Sequence, residues 1–87
     1  MTSTTDPFGR ETMQSEILAG RGKRFLVTAS DDCVMDGTQW HVRLWELRAE
    51  RGREVHDLRM CTKAADRDAA VILADQVIAK VKQQLNA

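Results

Sequence analysis

The chain has 87 residues, of which 43% are hydrophobic, and this is about the length of one small domain. Thirteen basic residues offset thirteen acidic ones, so the whole molecule has no field that draws it to nucleic acid or to an anionic membrane. Charged residues interrupt every apolar run well before the roughly 18 residues that a membrane span needs. These properties exclude a membrane-spanning protein and leave charge-driven binding to a local patch.

The N-terminal segment indicates where the protein resides. Met1 to Gly9 is largely polar and lacks the basic and apolar regions of a secretory signal. We therefore expect a cytoplasmic protein in which Cys33 and Cys61 are reduced rather than joined in a disulfide. Residues 1–8 are rich in Ser and Thr, so we expect a disordered tail, followed by a single α+β domain over residues 9–87.

The C-terminal segment carries the clearest helical pattern in the chain. Its apolar residues recur at three- and four-residue steps, which predicts one amphipathic helix from about Ala65 to Asn86. Thr62 or Asp66 can cap its start, and Lys80 and Lys82 lie near its end, where the helix dipole favours positive charge. The apolar stripe consists of Ala70, Val71, Ala74, Val77, Ile78, Val81 and Leu85.

A second, shorter helix is predicted near the N-terminus, from Gly9 to Ala19. Met13 is followed by Ile17 and Leu18 at spacings of four and five, and glycines at positions 20 and 22 end the pattern.

Three runs of alternating apolar and polar residues predict β-strands: Arg24 to Ser30, Gln39 to about Ala49, and about Glu54 to Cys61. The first connection contains Asp36-Gly37 and is longer than a tight hairpin, and the second is a short polar turn with Gly52. Such connections favour antiparallel pairing. The face that should pack on the helix carries Phe25, Val27, Trp40, Val42, Leu44, Leu58 and Met60. We therefore predict an α+β fold, αβββα or βββα, with a three-stranded antiparallel sheet packed against one long C-terminal helix.

The apolar alternation changes phase within the second predicted strand, from Leu44 to Trp45 and Leu47. A strand cannot turn both sets to one face without a bulge. In one interpretation, a bulge near Leu44-Trp45 or the N-terminal helix buries Trp45 and Leu47. In the other, Trp45 lies exposed on the outer face among basic side chains, a composition enriched at binding hot spots. The partner-binding patch of that second interpretation is Arg24, His41, Arg43, Trp45 and Arg59.

No motif for catalysis, metal binding or phosphate binding is visible. The cysteines and histidines lack the spacing of structural zinc sites, and no glycine-rich loop precedes a helix. His56 and Cys61 lie on opposite faces of the third predicted strand, with no third residue to orient them. We expect Cys61 to be buried as a small apolar residue. The sequence predicts no enzyme, no metal and no cofactor.

The order of predicted elements resembles that of double-stranded-RNA-binding domains. Its strand-strand-strand-helix part is similar to the sheet-reading DNA-binding domains of phage integrases and plant ethylene-response factors. The second of these resemblances implies that Arg43, Trp45 and Arg59 contact DNA. In the RNA-binding family a lysine cluster opens the last helix, whereas here that stretch contains Asp66 and Asp68. From Arg43 to Arg59 five basic residues alternate with four acidic ones, which is typical of a solvated surface of paired charges.

The sequence predicts a small non-enzymatic module that docks on a larger protein or ribonucleoprotein partner and inhibits or regulates it. Accessory and anti-defence proteins of phages and other mobile elements include modules of this kind. The alternative is a DNA- or RNA-binding regulator that uses the outer face of the sheet. A third hypothesis is a homodimer formed through that face or through a free strand edge.

Overall fold

The computed structural model describes residues 2–7, 9–18, 22–34 and 37–85. Within them, five strands form one antiparallel sheet in the order β1-β2-β3-β4-β5, and a helix follows the last strand. The elements are β1 (Thr2–Thr5), β2 (Glu11–Leu18), β3 (Arg24–Val34), β4 (Gly37–Glu50), β5 (Arg53–Ala64) and α1 (Arg67–Leu85). The α+β class, the antiparallel sheet and the C-terminal helix are confirmed, but the sheet has five strands rather than three.

The N-terminal part of the chain differs most from expectation. Residues 2–5, expected within a disordered tail, form β1 and pair with β2. The helix predicted from Gly9 to Ala19 is wrong, because β2 pairs antiparallel with β3 from Thr12 to Leu18. Met13 and Ile17 are both buried, and their spacing of four suits one face of a strand as well as one face of a helix. Without that helix, the element order no longer resembles a double-stranded-RNA-binding domain.

Helix α1 covers one face of the sheet, which we call the inner face. Val27 and Val42 are fully buried there, and burial of each valine side chain contributes about 1.5–2 kcal/mol. Phe25, Leu44 and Met60 are partly buried against the same core. The predicted packing face is thus confirmed for all of its members except Leu58. The buried core cluster is Met13, Ile17, Val27, Ala29, Trp40, Val42, Ala70, Ala74, Val77 and Val81.

Polar contacts fix the start of α1. The backbone N–H of Ala69 donates to Asp66 Oδ1 at 2.8 Å, which makes Asp66 the N-cap. Arg67 donates from Nε to Glu11 Oε1 on β2 at 2.7 Å, and the Ser3 hydroxyl of β1 donates to Glu11 Oε2 at 2.6 Å. The hydrogen bonds from Arg67 and Ser3 lower the pKa of Glu11 below its ordinary value. Glu11 therefore joins the first strand to the first turn of the helix.

A β-bulge changes which side chains of β5 face the helix. Leu44 of β4 pairs with Met60, but the next residue, Trp45, pairs with Leu58, so Arg59 is an extra residue in β5. The predicted irregularity at Leu44-Trp45 is present, but its extra residue belongs to the other strand. As a result Met60 lies on the inner face and Leu58 on the opposite face, and Trp45 is not returned to the core.

The hairpin between β4 and β5 turns tightly. Arg51 and Gly52 connect β4 to β5 with φ angles of 52° and 76°, the pair of positive values typical of a two-residue hairpin loop. Val34 of β3 pairs with Gly37 of β4, so that connection is shorter than expected. Residues 35–36, which include Asp36 of the predicted turn, lie outside the described residues.

Candidate functional site: the outer face of the sheet

The face of the sheet opposite α1, here called the outer face, carries a row of apolar side chains. Leu26 of β3 pairs with Trp45 of β4, and Trp45 pairs with Leu58 of β5, so the three residues lie side by side across three strands. Leu58 is 51% exposed, and Leu26 and Trp45 are half-buried. We call these three residues the apolar row. Contiguous exposed apolar surface rimmed by polar groups is typical of a protein contact site.

Trp45 is held on both sides. Its indole Nε1 donates to the Thr28 hydroxyl of β3 at 3.0 Å. On β5, the ring of His56 lies with its centroid 6.3 Å from that of Trp45, at an interplanar angle of 59°. The indole therefore has a fixed orientation along the outer face before any partner arrives. A side chain that is already ordered loses little conformational entropy when it binds.

Arg24 covers part of the outer face next to the apolar row. It is the register partner of Leu47, and its guanidinium donates to Glu16 of β2 at 2.7 Å and to Glu54 of β5 at 3.3 Å. Because Glu54 lies on the far side of β4, the Arg24 side chain crosses β4 above Leu47. Leu47 is consequently only 8% exposed although it points away from the helix. One interpretation of the sequence predicted that a bulge or an N-terminal helix buries Leu47. Instead, the side chain of Arg24 covers it.

The charges around Arg24 compensate one another. The hydrogen bond with His56, at 2.9 Å, and the charge of Arg24 together hold the pKa of the Glu54 carboxyl below its ordinary value. The hydrogen bond and the charge of Glu16 raise the pKa of Arg24. Arg24 is thus part of a paired rim and does not present an uncompensated positive charge to a ligand.

A second polar cluster lies on the same face, beyond Thr28. Arg43 donates to Ser30 Oγ and to Asp32 Oδ2, both at 2.9 Å, and His41 Nδ1 lies 2.8 Å from the same Asp32 oxygen. Partial burial on its own would raise the pKa of Asp32. The hydrogen bond from Arg43, with the charges of Arg43 and His41, outweighs burial and lowers that pKa below 3.8. Arg43 and His41 are therefore held within the sheet surface by an acid.

Four of the five residues predicted for the patch share the outer face: Arg24, His41, Arg43 and Trp45. Arg59 does not. As the extra residue of the bulge, it donates from Nε to Glu46 Oε2 at 3.1 Å. Glu46 pairs with Phe25 and so lies on the inner-face side of β4. The predicted grouping of Arg59 with Trp45 is wrong because the bulge shifts the phase of β5.

Leu26 and Leu58 belong to the site but were not predicted for it. The hairpin turn contained the information needed to find Leu58. Counting outward from a two-residue loop at Arg51 and Gly52 pairs Leu47 with His56 and then Trp45 with Leu58. A tight turn and a strict register were therefore enough to place Leu58 beside Trp45.

The remaining chemistry of the outer face is modest. Cys61, expected to be buried, is an exposed free thiol opposite Arg43. Lys63 is exposed opposite His41 and forms no ion pair within the described part of the chain. Among the described residues no three His, Cys, Asp or Glu side chains are grouped so that they could hold a metal ion. Among the residues that the structure describes, this face carries three basic side chains, Arg24, Arg43 and Lys63, and three acidic ones, Glu16, Asp32 and Glu54.

Comparison with protein-family models, with curated proteins and with solved structures finds no match for this chain. In the part of the chain that the structure describes, no helix combines the length and the apolar character needed to cross a membrane.

Proposed function

We propose that this chain is a non-enzymatic protein-binding module whose outer sheet face docks on a partner protein. The observation that carries the proposal is the apolar row, Leu26, Trp45 and Leu58, which lies uncovered by α1 and is flanked by side chains that are already paired. Apolar and aromatic residues at the centre with a polar rim are the usual anatomy of protein interfaces. The module regulates or inhibits its partner by occupying the partner's surface, and it acts in the cytoplasm.

The nucleic-acid alternative receives less support from the same face. Affinity for nucleic acid comes mainly from cations that neutralise phosphates. Arg24 is engaged by Glu16 and Glu54, and Arg43 is engaged by Asp32. To bind a phosphate, each arginine would have to break its ion pair with a carboxylate. The carboxylate would then face the negatively charged phosphate without a partner. A paired rim around an apolar centre favours a protein surface instead.

Two exposed apolar residues offer a matched test. Leu58 is 51% exposed in the apolar row, whereas Ile72 is 59% exposed on α1, away from the outer face. Both can be changed to Lys with little expected effect on folding, because neither side chain is part of the buried core. Affinity capture from native lysate, with and without nuclease, would compare wild type, Leu58→Lys and Ile72→Lys.

Three outcomes are informative. The proposal predicts that Leu58→Lys loses the captured protein at least about tenfold, that Ile72→Lys retains it, and that nuclease has no effect. Equal capture by both variants would overturn the assignment of the outer face. Capture that disappears with nuclease, together with binding to oligonucleotides that weakens steeply with salt, would favour the nucleic-acid alternative.

A further inference from the structure

Strand β5 is an edge of the sheet, because it pairs only with β4. The two-residue loop makes Glu50 and Arg53 the hydrogen-bonded pair that closes the hairpin. Bonded and non-bonded pairs alternate along an antiparallel ladder, so Glu54 and His56 direct their N–H and C=O groups away from β4. Among the described residues, no backbone hydrogen bond outside the helix and the sheet involves β5. Such a free edge is a template for another strand.

The bulge divides this edge into two parts. Before Arg59 the strand is regular, from Arg53 to Leu58, and after it the phase of the side chains changes. We infer that the regular part pairs antiparallel with the same segment of a second copy of this chain. The two-fold axis of this dimer is perpendicular to the sheet and passes beside Val55. The inference goes beyond the proposed function, because the contact uses the sheet edge and leaves the apolar row free.

The side chains of this segment are complementary to those of its own copy. With the axis at Val55, that residue faces Val55 of the second copy, Arg53 faces Asp57, and Glu54 faces His56. Opposed residues share a face of the joined sheet, because Arg53, Val55 and Asp57 are inner and the other two are outer. Opposite charges directly across a strand pair are stabilising, and an isologous contact forms each such pair twice.

The neighbouring registers are less favourable. An axis at Glu54 sets this acid against Glu54 of the second copy, and like charges directly opposite each other are destabilising. An axis at His56 sets the apolar Val55 against the charged Asp57. The register centred on Val55 is therefore the one that charge and polarity favour.

The groups needed for the contact are accessible. Arg53 is exposed and forms no ion pair with the rest of the described chain. Arg48 contacts Asp57 at Oδ2, which leaves Oδ1 for Arg53 of the second copy. A shallow recess opens beside the edge and is lined by Glu50, Arg51, Arg53 and Val55. No residue of α1 lines this recess, so the helix leaves room for Val55 of the second copy.

The dimer is expected to be weak. Glu54 and His56 exchange about four backbone hydrogen bonds with the second copy, and the contact is small beside standard interfaces. We expect a dissociation constant of about 10–100 µM. A rotation about an axis perpendicular to the sheet keeps the two outer faces on the same side. The dimer therefore presents two apolar rows in one direction, an arrangement that favours bivalent docking.

Sedimentation velocity of the full chain from about 1 µM to about 1 mM tests the inference. The wild type should shift from monomer to dimer across this range. Arg53→Glu places an acid opposite Asp57 of the second copy and should weaken self-association at least about tenfold. Lys80→Glu makes the same change of charge on the exposed side of α1 and should dimerise like the wild type. Leu58→Lys, in the apolar row, should also dimerise like the wild type.

A mixture of two variants tests the register. Asp57→Lys alone should weaken the dimer, because two bases would then face each other across the axis. An equimolar mixture of Arg53→Glu and Asp57→Lys chains should dimerise again, since each new acid faces a new base. Circular dichroism of each variant shows that it is folded before the mixture is made.

Three results would overturn the inference. The first is a wild-type chain that stays monomeric at about 1 mM, and the second is a dimer that persists in Arg53→Glu but is lost in Leu58→Lys. The third is a mixture of the two folded charge variants that stays monomeric. Capture experiments test the outer face separately. A monomeric wild type that captures a protein in a manner that depends on Leu58 loses the dimer and keeps the proposed function.

Discussion

The indole nitrogen of Trp45 donates a 3.0 Å hydrogen bond to the hydroxyl of Thr28, on the neighbouring strand of the outer face. This bond orients the largest side chain of the apolar row without burying it in the core. Binding to a partner then requires little reorganisation of the face, so the contact energy of the indole is available for association.

Thr28→Val tests the importance of that orientation. Valine keeps the β-branched shape but cannot accept the bond, so we expect a loss of about 1 kcal/mol in the free energy of unfolding. Weaker partner capture should accompany it. Urea denaturation measures the first effect, and affinity capture from native lysate measures the second. Thr12→Val is a suitable control, because Thr12 lies on the same face and its side chain forms no hydrogen bond within the described residues. Equal effects of the two substitutions would contradict the role of Thr28.

The hairpin between β4 and β5 predicts a stabilising substitution. Arg51 has a φ of 52°, a left-handed conformation that is costly for most residues but well tolerated by asparagine. Arg51→Asn gives the Asn-Gly sequence favoured in such loops and should raise the free energy of unfolding by about 0.5–1 kcal/mol. Gly52→Ala, at φ 76°, should act in the opposite direction. A lower melting temperature for Arg51→Asn would mean that the loop has another conformation.

Helix α1 should depend on its N-cap. Asp66→Ala removes the acceptor for the Ala69 N–H and should cost about 1 kcal/mol of stability. Asp66→Asn retains an acceptor oxygen and should cost much less. Thermal unfolding followed by far-UV circular dichroism compares the two variants. If Asn and Ala at position 66 were equally destabilising, the contribution of Asp66 would be its charge rather than its cap.

Asp32 predicts a pH dependence of stability. The pKa of Asp32 is lowered below 3.8 in the folded chain. The carboxylate therefore stabilises the fold fully when the pH is above the pKa that Asp32 has in the unfolded chain. The contribution disappears as the pH falls through the lower, folded pKa. The difference in unfolding free energy between wild type and Asp32→Asn should therefore be largest above about pH 4.5 and shrink toward about pH 3. Urea denaturation at several pH values measures it, and a difference independent of pH would contradict the ionic role of Asp32.

Periodicity alone was sufficient for the C-terminal helix and for strands β3, β4 and β5, because each of these elements presents a long apolar pattern. It failed for β2, where Ser15 occupies an inner-face position between Met13 and Ile17 and hides the alternation of a strand. It failed for β1 because a run of Ser and Thr has no apolar face at all.

The candidate site was predictable in part. Trp45, Arg43, His41 and Arg24 share the outer face as one interpretation of the sequence held, because strand alternation fixes their side. Their mutual compensation by acids was not visible, since Asp32, Glu16 and Glu54 come from separate strands. The phase change at Leu44-Trp45 indicated a bulge, but a single strand's pattern cannot show which partner carries the extra residue. Arg59 was misplaced for that reason.

Fluorescence quenching of Trp45 tests the central claim, that the apolar row is a contact surface left uncovered by its own chain. The chain has two tryptophans, so Trp40→Phe leaves Trp45 as the single reporter, once circular dichroism shows that the variant is folded. Acrylamide should quench Trp45 readily in the free protein, and the quenching should fall as a captured partner is added. Quenching that is weak even in the free protein, or that stays unchanged when the partner is added, would contradict this claim.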